Sequence, residues 1–327
     1  MQKNTSKNRI LNYLKNKDNV SIGEFVEVFG LSRQAIHLQL KKLLENDLII
    51  KKGSSPKVFY SLNKDSSKIN LELSVSEEIK KVINDNFLLI EPTGVKSLGV
   101  PAFISWCQKR NFEPGQKALE YFALSNKYNK LKQKGLLKGN HKIKNSFKTV
   151  YLDDIFYIDF YSWEIFGKTK LGQLLLYAKQ SQNTKIMNQL IEEIKDRITK
   201  LISEEKIDAV AFVPPTVKRE TQFMKVLEKK LNLNLPIISI TKIKSEIMIP
   251  QKTLSKIEDR IENAESTIVV TEKRKGFKKV LLLDDAVGSG ATFNSIAQKI
   301  KKGDVSSKVI ALAITGSLKG FDVISEV

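Results

Sequence analysis

The chain has 327 residues, 41% of them hydrophobic, and 55 Lys and Arg against 36 Asp and Glu leave a formal net charge of +19. This is long enough for two or three domains with their own cores, and the apolar content excludes wholesale disorder. No stretch approaches the roughly 20 apolar residues of a membrane helix, and residues 1–7 hold no apolar signal core. The single cysteine, Cys107, excludes an internal disulfide and a zinc ribbon. The expectation is a reduced thiol in a cytoplasmic protein with no membrane attachment.

Residues 1–64 hold twelve Lys and Arg and five Asp and Glu. A helix is predicted over 10–14. Ile22, Phe25, Val26 and Phe29 then recur at i, i+3, i+4 and i+7, which gives a second helix one apolar face. Gly30 follows, where a left-handed turn costs least. Ser32 is placed to cap a third helix, in which Ile36, Leu40 and Leu43 keep the core period. Its opposite face carries Arg33, Gln34, His37 and Lys41, side chains able to reach base edges and phosphates. Residues 48–60 read as strand, basic tip and strand, with Lys51, Lys52 and Lys57 around the tip. Helix, helix, turn, helix, hairpin resembles the winged helix-turn-helix of bacterial transcription regulators. The resemblance implies double-stranded DNA as partner, contacted through Ser32, Arg33, Gln34, His37, Lys41, Lys51, Lys52 and Lys57. A homodimer reading two half-sites is possible on the same ground, and a winged helix serving protein contacts is the alternative. Zinc is not expected at His37, because His141, the other histidine, is far away in sequence.

A Ser/Lys/Asp-rich linker over 64–68 opens the next stretch, 65–150, which reads as helical and lysine-rich. Between residues 127 and 148 stand eight lysines and no acid. Such a run is either a solvated surface or a contact to DNA flanks.

From 151 onward apolar strands alternate with amphipathic helices, the pattern of a parallel α/β sheet. Asp153 and Asp154 are explained by an edge strand, and Gly167, Lys168 and Thr169 by a helix start. Strands are predicted over 208–213, 235–240, 280–283 and 308–314, and helices over 219–231 and 292–301. A long polar passage occupies 241–279.

The most informative residues are 280–292. Four apolar residues make a buried strand, and Asp284 and Asp285 stand at its carboxyl end, where open α/β sheets place ligands. The loop Ala286, Val287, Gly288, Ser289, Gly290, Ala291, Thr292 then leads into a helix. Its glycines let backbone amides approach an anion, Ser289 and Thr292 add hydroxyls, and the helix N-terminus adds a favourable dipole. The carboxylates would repel a phosphate; they suit sugar hydroxyls. The loop lacks the lysine of a Walker A motif, and its glycine spacing is not that of a dinucleotide fingerprint.

Strand, acid pair, small-residue loop and threonine resemble the phosphoribosyl-pyrophosphate (PRPP) signature of type I phosphoribosyltransferases, with Gly288, Ser289, Gly290 where the family more often has Thr-Thr-Gly. The resemblance implies that Asp284 and Asp285 hold the ribose hydroxyls and act in catalysis, and that residues 286–292 hold the 5-phosphate. It implies a pyrophosphate loop at Pro215, Thr216, Lys218 and Arg219, and magnesium bound together with PRPP rather than on a protein metal site. A proline turn with solvated bases explains Lys218 and Arg219 as readily when they are taken alone. A narrower resemblance, over 151–327, is to the ComF-like branch, on Arg219, Gln222, Gln251, Arg260 and Asn263; it makes Gln251 and Arg260 lid candidates within 241–279. That branch usually begins with a zinc ribbon, which this chain lacks.

The expected architecture is therefore α/β. A winged helix-turn-helix spans 1–64, a linker and helical segment 65–150, and a type I phosphoribosyltransferase-like parallel sheet 151–327. The same pairing of domains is seen in bacterial purine-operon repressors. Two functions remain: a DNA-binding regulator that senses PRPP or a related nucleotide, and a working phosphoribosyltransferase tethered to DNA.

Overall fold

The computed structural model describes residues 6–46, 48–63, 73–217, 219–243, 247 and 249–317. Two compact units are present, Met1–Ser74 and Val75–Val327. The linker expected over 64–68 lies outside the described residues, as does Lys218.

The first unit contains α1 (Ser6–Asn16), β1 (Val20–Ser21), α2 (Ile22–Phe29), α3 (Arg33–Glu45), β2 (Ile49–Ser54) and β3 (Lys57–Leu62). Ile10, Leu14, Phe25, Ile36, Leu40 and Leu43 meet in one core with Ile49 and Tyr60. The helix ends are built as the residue types dictate. Gly30 sits at φ 62 and its N–H donates to the Val26 carbonyl, which closes α2. The Ser32 hydroxyl accepts the Ala35 N–H at 3.2 Å and opens α3. Strand β3 lies between β1 and β2 in a small antiparallel sheet.

The second unit opens with α4 (Glu77–Asn86), β4 (Leu88–Ile90), β5 (Lys96–Leu98), α5 (Gly99–Gln108), α6 (Pro114–Asn129), β6 (Lys132–Gln133), β7 (Leu136–Lys138) and α7 (Asn140–Ser146). Phe87, Phe103, Trp106 and Tyr121 pack against one another with ring centroids 5.0–6.0 Å apart. Cys107 is buried beside them, and burial pushes its thiol up to about 12. This stretch is more than helical. β6 and β7 are strands of two and three residues, too short for any periodicity to reveal.

The remainder comprises β8 (Asp154–Phe160), β9 (Ser162–Trp163), β10 (Gly167–Lys168), α8 (Lys170–Gln180), α9 (Thr184–Glu204), β11 (Ala209–Phe212), α10 (Phe223–Leu231), β12 (Ile240–Lys242), α11 (Ile257–Thr267), β13 (Ile268–Val270), β14 (Val280–Val287), α12 (Ala291–Lys302) and β15 (Val309–Gly316). One six-stranded sheet runs β11-β14-β15-β8-β7-β6. Its first four strands are parallel, and the β6–β7 hairpin is added antiparallel to β8. Leu281, Leu283, Ile310 and Leu312 lie in a core shared with α8, α9 and α10. That is why these strands read as unbroken apolar runs.

Several expectations shift. The helix predicted over 219–231 begins only at Phe223, because residues before it are held in a loop: the Gln222 amide donates to the Val217 carbonyl at 2.9 Å, and the Thr221 N–H to Gln182 at 2.8 Å. The strand predicted over 235–240 reduces to a bridge between Ile237 and Val210, followed by β12 paired with β13. The polar passage 241–279 contains a whole helix, α11, with Glu258 and Asp259 in its first turn, where the helix dipole favours acids. Strand β8 is interior, between β15 and β7. Asp153 is nevertheless structural, accepting the Val309 N–H at 2.7 Å and pairing with Lys301 at 2.9 Å. Thr169 caps α8, accepting the Gly172 N–H at 3.1 Å. In the lysine run, Lys132, Lys134 and Lys138 pair with Asp159, Glu204 and Asp154. Among the described residues no helix is long and apolar enough to cross a membrane.

Buried Asn294 ties α12 to the approach of β8. Its amide oxygen accepts the Tyr151 N–H at 2.7 Å, and its amide nitrogen donates to the Thr149 carbonyl at 3.0 Å. Asn294→Ala strands both backbone groups, so we expect a loss of about 1–3 kcal/mol. Chemical denaturation of the purified protein checks this; an unchanged midpoint contradicts it.

Candidate functional site

Strand β14 continues four residues past Leu283, so Asp284 and Asp285 lie within it rather than after it. The loop that follows crosses at Gly288 and Ser289 and enters α12 at Gly290. Gly290 is required there: it sits at φ 80, and a Cβ would meet the Ile143 side chain at 2.9 Å. Gly288 is different, since a Cβ would meet only Arg260, at 3.8 Å. Its bareness leaves room for close approach from the cleft. No side chain caps α12, although the Ser289 hydroxyl accepts the Ala291 N–H at 3.3 Å. The first turn therefore presents amides and the positive end of a twelve-residue helix.

A cleft of about 320 Å³ lies over this loop. All of residues 284–292 line it, together with Pro215, Thr216, Arg219, Gln251 and Arg260. The volume falls at the lower end of small-molecule pockets, about 300–1,000 Å³. Of the residues singled out in 151–327, Lys218 alone lies outside the described residues.

The electrostatics are those of crowded, half-buried acids offset by cations. Asp284 accepts the Asp285 N–H at 2.7 Å. Burial, and next the neighbouring Asp285, push the Asp284 carboxyl well above the usual carboxylate range, while Lys179 and Lys242 oppose that rise. Lys179 Nζ lies 2.7 Å from an Asp285 carboxylate oxygen. Burial would depress the Lys179 ammonium, but Asp285 and then Asp284 outweigh it and hold the group above its ordinary value. Burial lowers Lys242, which donates to the Thr216 hydroxyl at 2.8 Å. Arg260 is 4% exposed, and its Nε donates to the Leu254 carbonyl at 2.8 Å. The Gln251 amide nitrogen donates to the Arg260 carbonyl at 2.9 Å and to Asn263 at 3.2 Å, and the buried Gln251 Oε1 has no hydrogen-bond partner among the described residues. The expected lid residues are thus wired to one another at the cleft wall.

Lys179 was not predicted. Its local sequence carries no motif, and it arrives at the acids only because α8 packs beside them. One signal pointed there: Leu171, Leu174, Leu175 and Ala178 form the buried stripe of α8, and Lys179 follows that stripe directly.

The donors do not fit a resident divalent cation. The acid pair offers two carboxylates, one already engaged by an ammonium group. The described residues hold no cluster of three or more His, Cys, Asp or Glu.

In the first unit Ser32, Arg33, Gln34, His37 and Lys41 are exposed on α3, as are Lys51 and Lys57 on the hairpin. Arg33, His37 and Lys41 follow at four-residue intervals and share one helix face. The Ser32 hydroxyl is used as a cap, Lys52 donates to the Asn19 side chain at 2.9 Å, and Lys41 lies 3.9 Å from Glu45.

Neither a protein-family model nor a curated protein matches the chain. Among solved structures it is similar to adenine phosphoribosyltransferase from Saccharomyces cerevisiae, complexed with D-2,5-dideoxy-2,5-imino-altritol 1,6-bisphosphate and adenine. The identity is 14% and the TM-score 0.27, over 42% of this chain and 72% of that one. A second adenine phosphoribosyltransferase matches at 14% identity and a TM-score of 0.28, over 44% of this chain and 78% of that one.

The raised Asp284 carboxyl has a stability consequence with a definite sign. A group whose folded pKa lies above its unfolded one stabilises the fold below the unfolded value, near 3.9, and that contribution is lost as pH rises through the folded value. At pH 7, above the unfolded value, keeping an acid in this place costs stability that a neutral isostere does not. Asp284→Asn should raise the melting temperature at pH 7, with the gain shrinking towards pH 4. A lowered melting temperature at pH 7 contradicts the assignment.

Proposed function

We propose that the Val75–Val327 unit binds PRPP or a related phosphoribosyl nucleotide, and that the protein is a DNA-binding regulator in which this unit is the sensor. The observation that carries the reading is the joint placement of the acid pair and the α12 N-terminus in one cleft. Carboxylates accept hydrogen bonds from the ribose hydroxyls, and the amides opening α12 take the 5-phosphate. A diphosphate at the anomeric carbon is met by Arg219, with Lys242 and Arg260 also on the cleft wall. Ligands lacking either the hydroxyls or the phosphate leave half of this arrangement unused.

The first unit supports the DNA half of the proposal. Its three helices and antiparallel hairpin have the order of a winged helix-turn-helix, and α3 exposes one row of basic and polar side chains. Arg33, Gln34, His37, Lys51 and Lys57 are the proposed DNA contacts, with Ser32 positioning the helix. Two such units in a homodimer would read two half-sites.

The two readings make different demands of the same cleft. Displacement of pyrophosphate from C1 by a nitrogen nucleophile passes through an oxocarbenium-like state, and needs an acceptor held within reach. A sensor needs only a ligand that favours one DNA-binding state, and reciprocity then requires DNA to shift ligand affinity by the same factor.

A gel shift with and without PRPP, paired with a pyrophosphate-release assay over a panel of bases, tests the proposal. We expect PRPP to change DNA affinity by about 5–150-fold without turnover. Turnover with a physiological base makes the protein a transferase instead. Asp284→Asn with Asp285→Asn should abolish the PRPP effect and leave basal DNA binding intact. Arg33→Ala should weaken DNA binding at any PRPP concentration and flatten its salt dependence by about one charge. A double Asp variant that still responds normally to PRPP removes the ribose assignment.

A further inference from the structure

The ion pair between Lys179 and Asp285 has a consequence for the ligand. We infer that Lys179 takes the place of a divalent cation at the acid pair, so that the phosphoribosyl ligand binds this cleft without magnesium. The inference rests on the sugar-phosphate reading above and specifies how that site is charged.

Two adjacent carboxylates facing an anionic ligand need positive charge between them and the phosphates. A metal ion bound with the ligand is one source. Here the protein supplies its own: Lys179 Nζ lies 2.7 Å from Asp285, with the two side chains 32% and 18% exposed. That separation is typical of a strong, charge-assisted contact, and low exposure keeps it from being screened as a surface pair is. Three further cations, Lys242, Arg219 and Arg260, line the same cleft. Four cations thus face two carboxylates, which leaves the cleft with an excess of positive charge for an entering polyanion.

Geometry adds to the charge argument. An ammonium group has three N–H donors, so Lys179 can hold Asp285 and still reach a ligand oxygen. A metal ion at the same carboxylate would stand beside that ammonium and be repelled by it. The described residues offer no third acidic or imidazole ligand to compensate. Lys179 stands in the last turn of α8, whose Leu171, Leu174, Leu175 and Ala178 pack into the core, so its backbone is anchored beside the acids.

Isothermal titration of the full chain with PRPP, in EDTA and in millimolar magnesium, tests this. Wild-type affinities in the two buffers are expected to agree within about threefold, below the roughly fivefold floor of typical couplings. Lys179→Met keeps the apolar stem and removes the charge. It should bind at least about tenfold more weakly in EDTA and recover when magnesium is added. Lys179→Arg, which keeps the charge, should stay independent of magnesium. A wild type that binds PRPP only with magnesium overturns the inference while leaving the sugar-phosphate site standing, as does Lys179→Met binding like wild type in EDTA. A wild type that binds PRPP in neither buffer removes the site itself, and this inference with it.

Discussion

Consecutive carboxylates in a half-buried strand repel each other and resist losing water, and the cleft is organised around that conflict. Asp284 carries most of the strain, its carboxyl pushed up by burial and by Asp285. Relief comes from three parts of the chain: Lys179 at the end of α8, Lys242 at the end of β12, and the backbone N–H of Asp285 itself. A pair of acids kept in such a place at such cost is expected where a ligand will use them. Sugar hydroxyls can do so, because each brings a donor to a carboxylate and no charge of its own.

The fold supplies what the acids cannot. Strand β14 is buried from Val280 to Leu283 and its parallel neighbour β15 is buried throughout, which fixes the height at which Asp284 emerges. The loop from β14 into α12 is short and holds Gly290 at φ 80, a conformation that favours glycine, close against Ile143. The distance between the two carboxylates and the amides that open α12 is thereby set by one strand-turn-helix unit. Another part of the cleft wall, Gln251 and Arg260, with Gln251 bonded to the Arg260 carbonyl and to Asn263, comes from the polar passage 241–279 in which the resemblance marked these residues.

Local chemistry was legible in the sequence, and distant chemistry was not. Phe25, Gly30, Ser32 and Leu40 act as their types and spacing foretell, since caps and amphipathic faces depend on neighbours three or four residues away. Residues 284–292 gather at one cleft for the same reason. What escaped depends on partners far along the chain. Lys179 meets Asp285 across 106 positions, and beyond its place at the end of the α8 apolar stripe no local motif announces it. β6 and β7 are too short to show a period, and β12 exists only because β13 pairs with it. The start of α10 moved to Phe223 because side-chain hydrogen bonds hold residues 219–222 in a loop, a competition that helix propensity does not record.

The central claim is spatial: one sugar phosphate spans the acids of β14 and the amides that open α12. A crystal structure of the protein soaked with ribose 5-phosphate tests it most directly. The account expects the phosphate within hydrogen-bond reach of the amides at 289–293, and the 2- and 3-hydroxyls on Asp284 and Asp285. Density for the sugar elsewhere, or a phosphate seated on the lysines with the ring turned from both carboxylates, would contradict it.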